Sequence, residues 1–204
     1  FIEAVKDKPY SYQAFQILYW CGLRVGELLA LTPQDIDFDN KVIRITKSYQ
    51  RLEGKDVVTD PKTPKSKRNV SMPDFLCEEL KEYIGRLYGL LPTDRIFHLT
   101  KSFLHHEMTR GAGKAGVKRI RIHDLRHSHA SLLISMGENP LIIKERLGHE
   151  KIQTTLGTYG HLYPNSNFDV AKKLTGLLTY TPATHSTADY TSNQFTAEYH
   201  KQAI

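Results

Sequence analysis

From Ile122 to Tyr163 the chain reads IHDLRHSHASLLISMGENPLIIKERLGHEKIQTTLGTYGHLY, and this stretch leaves little freedom in how it folds. The run from Asp124 to about Met136 predicts a helix. Gly137 is its natural terminator, because glycine adopts the left-handed conformation that follows a last helical turn at no steric cost. Asn139 then caps a second helix, with Pro140 at the first position, where a missing N–H costs nothing. That helix stops at Leu147-Gly148, and a short third one holds Thr154–Tyr159. Polar side chains are thereby delivered at set places. His123 and Arg126, three residues apart, share one helix face. His149 lands at a helix C-terminus, and Tyr159 follows ten residues later.

Charge is as unevenly placed as structure. Lys41 to Val70 contains nine basic residues against Glu53, Asp56 and Asp60, a local excess equal to the net +6 of the whole chain. A concentrated basic segment suits a polyphosphate partner, since each neutralised phosphate releases counterions. Cys21 and Cys77 have neither zinc-site nor disulfide-framework spacing, so a reduced, cytoplasmic setting is the expectation. No apolar run approaches the ~20 residues of a membrane span, and no signal peptide is visible. The chain begins with Phe1 rather than Met and opens almost at once into a helix, which suggests a fragment lacking an N-terminal part.

The remainder reads as a mainly helical α+β domain. A helix is expected from Ser11 or Tyr12 to Cys21, and a second from Glu27 to Leu31. Arg24 sits in the joint between them with Gly22 and Gly26 on either side, a place where backbone can approach a ligand. Asp35–Asp39 reads as a polar turn. Lys41–Lys47 alternates apolar and polar residues, the period of a half-buried strand. Val57-Val58, Arg68–Met72 and Arg95–His98 are further strand candidates, pointing to a small antiparallel sheet with basic loops. Lys62 lies between Pro61 and Pro64, which restrict its direction. Helices are expected over Pro73–Tyr88, over Ser102–Ala115 (frayed by Gly111, Gly113 and Gly116) and over Asn167–Leu178. Beyond Thr179 the chain is rich in Thr and Ser without periodicity, as a flexible or partner-docked tail would be.

Two arginines, two histidines and a late tyrosine suit attack on a phosphodiester. A guanidinium offers paired donors to two phosphate oxygens. Arg24 and Arg126 can thus clamp both non-bridging oxygens, where negative charge grows in the transition state. His149 can add a donor, and His123 can take the nucleophile's proton. Of the eleven tyrosines, Tyr159 is the best placed nucleophile and Tyr163 the runner-up. Lys62 is a reasonable acid for the leaving sugar oxygen.

The segments GLRVGELLALTPQDID, HDLRHSHASLLI, ERLGHEKIQTTLGTYGHLYP and PKTPKSKRNVSMP resemble the tyrosine recombinase (phage integrase) family, especially integrases of temperate phages and integrative conjugative elements of Gram-positive bacteria. The resemblance covers about residues 11–178. It implies a catalytic set of Arg24, Lys62, His123, Arg126, His149 and Tyr159, with Glu27 and Asp124 in support and Lys65 or Lys67 as alternatives to Lys62. Lys47, Lys65, Lys67, Arg68, Arg119 and Arg121 are the expected DNA contacts. Double-stranded DNA would be cut through a 3′-phosphotyrosine and rejoined without metal or ATP, by a homo-oligomer assembled as a tetrameric synapse. On this reading residues 1–178 form the catalytic domain, residues 179–204 form a tail that docks on a neighbour, and the family's core-binding and arm-binding domains are missing. Three alternatives remain: a type IB topoisomerase-like strand transferase, a non-catalytic DNA-binding module built on the helix pair after Asp124, and a metal hydrolase using His123, His127 and His129.

Overall fold

The structure, a computed structural model, describes residues 1–61, 63–163 and 167–178. The chain divides into two units, Phe1–Tyr163 and Pro164–Ile204. Lys62 and the tail from 179 to 204 lie outside the described residues. The second unit contributes α9 (Asn167–Leu178) to the description, where an amphipathic helix is expected.

The first unit opens with α1 (Ile2–Val5) and α2 (Pro9–Trp20). A single turn such as α1 is too short for periodicity to reveal. It is held against α5 (Lys101–Ala115) at Gly111, where an added Cβ would stand 2.5 Å from Val5 Cγ1 and 2.7 Å from Phe1 Cε2. Gly111 therefore does not fray α5 but lets α1 sit on it. Gly116, at φ 64°, closes the helix in the left-handed conformation. α3 (Val25–Ala30) follows α2, and α4 (Asp74–Gly85) buries Leu76, Cys77, Leu80 and Tyr83 along one side.

Three strands, β1 (Ile36–Asp37), β2 (Val42–Ile45) and β5 (Arg68–Ser71), form an antiparallel sheet in the order β1-β2-β5, with Ile43 opposite both Ile36 and Val70. β1 stands where a polar turn is expected, because two residues are too few to alternate. β3 (Ser48–Leu52) and β4 (Lys55–Thr59) make a separate hairpin. Its two turn residues, Glu53 and Gly54, both have positive φ, the geometry that matches the twist of a tight hairpin. Only Tyr49 of β3 is buried, so periodicity does not show this strand. Arg95–His98 is a loop rather than a strand. Ile96 N–H bonds to Leu31 O at 2.8 Å, and Ile96 and Phe97 fill the core from there.

The main core takes Phe15 and Leu18 from α2, Leu28 from α3, Ile43 from the sheet, Leu76 from α4 and Leu104 from α5. Each such side chain contributes roughly 1.5–3 kcal/mol of burial. α6 (Ile122–Ser135), α7 (Pro140–Leu147) and α8 (Ile152–Tyr159) enclose a smaller core of Ala130, Ile134, Ile143, Leu147 and Tyr159. The architecture is thus mainly helical with small antiparallel sheets. Among the described residues no helix is long and apolar enough to cross a membrane.

Candidate active site

Arg24 is the extended residue that precedes α3. Glu27, on the first turn, accepts the Arg24 N–H at Oε2 (2.8 Å) and Arg24 Nη1 at Oε1 (2.8 Å). Arg68 of β5 reaches the same carboxylate with both terminal nitrogens, each at 2.9 Å. Burial pushes the Glu27 pKa upward, but the hydrogen bonds and charge of Arg68, and then Arg24, outweigh it and hold the carboxyl below its ordinary value. Glu27 is therefore an anion matched by Arg68 and borrowed by Arg24.

The end of α7 is the second fixed point. Gly148, at φ 66°, turns the chain out of the helix and presents His149. The last carbonyls of a helix lack partners within it and carry the negative end of its dipole. Three successive ones are taken here by three different arginines. Arg68 Nε donates to Arg146 O at 2.7 Å, Arg126 Nη2 to Leu147 O, and Arg24 Nη2 to Gly148 O at 3.3 Å. Arg126 also donates to Gly22 O, beyond the end of α2, at 2.7 Å. It is 2% exposed and forms no ion pair among the described residues. Burial, then the charge of Arg24, pull its pKa down to about 9, which leaves it cationic at neutral pH. Arg24 and Arg68 share the Glu27 carboxylate while Arg126 has none among the described residues, and the surplus charge favours an incoming anion.

His149 Nδ1 lies 2.9 Å from the hydroxyl of fully buried Thr155. Burial first, then the charges of Arg126 and Arg24, lower the His149 pKa to about 4, so the ring is neutral at pH 7. A cleft of about 380 Å³ opens here, lined among others by Arg24, Gln50, Thr59, Pro61, Thr63 and His149. The residues flanking Lys62 therefore line the cleft, although Lys62 itself is outside the described residues. A second cleft, of about 280 Å³, also borders Gly148 and His149 and is lined by Lys65, Lys67 and Lys144.

Tyr159 is 4% exposed, with its ring in the smaller core. Its hydroxyl lies 2.6 Å from His127 Nδ1. Burial raises the Tyr159 pKa, and the charge of Arg126 works against that rise. His123 meets the His127 ring edge-on with centroids 4.8 Å apart. Burial, followed by His127 and Arg126, lowers its pKa. The hydroxyl is thus held by His127, one turn beyond the histidine that local spacing selects. The i, i+4 relation of His123 and His127 was the available signal. His129 points elsewhere: it is buried, and its Nε2 accepts from Arg146 Nε at 3.0 Å. Of the three histidines of the metal alternative, His129 is thus engaged apart from the other two, and no group of three or more His, Cys, Asp or Glu among the described residues is placed to hold a metal ion.

Two expected DNA contacts are turned into the protein. Arg68 is buried on Glu27, and Lys47 bonds Thr32 Oγ1 at 3.0 Å and Asp35 at 2.7 Å. Both lie in the basic segment, but Arg68 on β5 and Lys47 between β2 and β3 meet buried carboxylates. Arg119 donates to Thr109 Oγ1 at 2.8 Å. Asp124 accepts the Arg121 N–H at 2.8 Å and Arg121 Nη2 at 2.9 Å, so it secures the start of α6 as Glu27 secures α3. Lys65 and Lys67 are exposed. The glycines flanking Arg24 serve packing rather than ligand approach. A Cβ on Gly22 would stand 2.5 Å from His129 Cδ2, and one on Gly26 2.5 Å from Ser48 Oγ.

The model of the phage integrase family matches residues 1–166. The chain is 36% identical over 192 residues to the ICEBs1 integrase of Bacillus subtilis (strain 168), covering 87% of this chain and 52% of that protein. It is 32% identical over 181 residues to a putative prophage phiRv2 integrase of Mycobacterium tuberculosis, covering 84% and 48%. The chain therefore spans about half the length of these relatives. Among solved structures it resembles the Tn1549 transposon integrase in complex with transposon right end DNA, with a TM-score of 0.69 and 26% identity over 82% of this chain and 58% of that one. The catalytic domain of bacteriophage HP1 integrase shares the fold, with a TM-score of 0.54 and 24% identity over 83% and 84%. With the family model spanning all of the first unit, the chain belongs to the phage integrase family.

Proposed function

We propose that this chain is the catalytic domain of a site-specific DNA recombinase that integrates or excises a mobile element. The observation that carries the reading is the surplus of positive charge at the end of α7: Arg24 and Arg126 converge there with His149, Glu27 is already matched by Arg68, and the charge of Arg126 reaches Tyr159. In this reading a scissile phosphate settles on Arg24 and Arg126. With Thr155 Oγ1 donating across the 2.9 Å to His149 Nδ1, the histidine proton would sit on Nε2 and meet a phosphate oxygen. Tyr159 Oη attacks phosphorus, and its proton passes to His127 Nδ1. The P–O5′ bond breaks, and Lys62 protonates the departing 5′ oxygen. A 5′-hydroxyl from a second strand later attacks the 3′-phosphotyrosine and restores both the phosphodiester and the tyrosine. The phosphodiester bond energy is kept in the adduct, so the step needs no nucleotide cofactor.

Residues 1–178 would form the catalytic domain. Residues 179–204 would dock on a neighbouring protomer within a tetrameric synapse on double-stranded DNA, in the cytoplasm. Lys65, Lys67, Arg119 and Arg121 would reach the phosphate backbone. The test is a duplex bearing the element's end sequence, nicked just past the cleavage point so that religation is blocked. A denaturation-resistant protein–DNA adduct is expected, absent in Tyr159→Phe and unchanged by chelator. Duplex binding without an adduct, both from this chain and from one as long as its relatives, would favour a DNA-binding module. Relaxation of supercoils without synapsis would favour the topoisomerase-like alternative.

A further inference from the structure

Arg68 has the composition of a DNA contact and the surroundings of a structural key. Its side chain is 6% exposed, and all three of its nitrogens are engaged. Two hold Glu27, which holds both the backbone and the guanidinium of Arg24. The third holds Arg146 O, three residues before His149. One terminal nitrogen also reaches Ser66 O at 3.2 Å. Packing is equally close: an added Cβ on Gly148 would lie 3.0 Å from Arg68 Cδ. One buried guanidinium thus joins the start of α3, the end of α7 and Ser66, just before β5.

We infer that Arg68 is a positioning residue, which sets Arg24 through Glu27 and sets His149 through the end of α7 without touching DNA. The inference rests on the proposed role of Arg24 at a phosphate. Lysine cannot replace it, because a single ammonium cannot span both carboxylate oxygens and a carbonyl on its far side. Displacing reacting groups by about 1 Å can cost ~10²-fold in rate.

The test is single-turnover adduct formation on the nicked duplex by wild type, Arg68→Lys and Arg68→Gln, with DNA affinity measured over a salt series. The expected result is a rate at saturating DNA about 100-fold lower in both variants, with affinity within about threefold of wild type, as for loss of an interaction made only on the way to the transition state. In an Arg24→Ala background the same Arg68 change should cost under about tenfold, because the two residues act partly as one unit. A purely structural residue would cost the same factor in both backgrounds. An Arg68 variant that binds DNA more weakly, with the salt slope reduced by about one, would be a phosphate contact and would overturn the inference. Full activity in Arg68→Gln would overturn it too. If wild type forms no adduct, the proposed function fails first. Side-chain NMR of the arginine Nε–Hε groups then decides the point, as it does if the variants do not fold. An Arg68 signal that exchanges slowly and stays in place as duplex shifts that of Arg24 supports the inference, whereas one that moves with DNA overturns it.

Discussion

At the scale of single residues, the Tyr159 hydroxyl and His127 Nδ1 stand 2.6 Å apart, and under the proposed mechanism this contact takes the tyrosine proton to His127. His123 touches the same neighbourhood only through the face of its neighbour's ring. Replacing His127 by Asn keeps a hydrogen-bond acceptor but removes the proton acceptor. Adduct formation should then slow by about 10²-fold, the usual worth of a positioned base, while the melting temperature stays near that of wild type. A single-turnover rate within about twofold of wild type would assign the proton to another group. Local spacing groups His123, Arg126, His149 and Tyr159, and the resemblance adds Arg24. Spacing does not rank two histidines one turn apart, because both face the same side of α6. Only the approach of α8 separates them.

At the scale of elements, the site is built where helices end. The C-terminal carbonyls of α7 are bound by Arg68, Arg126 and Arg24, and the end of α2 by Arg126 at Gly22 and by Arg146 at Trp20. Helix stops are readable from Gly and Pro, so the position of His149 follows from sequence. The partner of each carbonyl does not, since Arg68 and Arg126 are distant in sequence from α7. The contact of α3 with β3 also depends on tertiary structure. Gly26 lies beneath Ser48 and Tyr49, with room for no Cβ: the nearest backbone atom, Tyr49 O, would be 2.9 Å away. Gly26→Ala should therefore cost roughly 1–3 kcal/mol by overpacking. Gly113→Ala in α5, where nothing lies within 4 Å, should instead gain up to about 1 kcal/mol from helix propensity. Urea unfolding of the two variants checks this, and equal losses at both sites would refute the packing argument.

At the scale of the whole molecule, His129 links the fold to pH. Burial first, then the charges of Arg146 and Arg126, push its pKa down to about 3. A histidine depressed in this way stays neutral in the folded state while the unfolded chain takes up a proton below about pH 6.5. Stability is thus fully present above that value and falls as the medium becomes more acid. Between pH 7 and pH 5 the loss from His129 alone should be about 2 kcal/mol, and His149 acts in the same direction. Urea unfolding at the two pH values should show it, and His129→Gln should lose less; an equal loss in the variant would remove His129 as the source. What the sequence by itself determined is most of the helices, the class of fold and the family, and it named the candidates for the reactive set, because periodicity, caps and short motifs are local properties of the chain. What only the tertiary structure decided is which basic side chains face inward and which histidine meets the tyrosine. Arg68 and Lys47 have the composition of surface contacts, but a buried carboxylate outcompetes solvent for a cation that the fold brings beside it. Partners of that kind are set by packing between distant segments, and no local pattern records them.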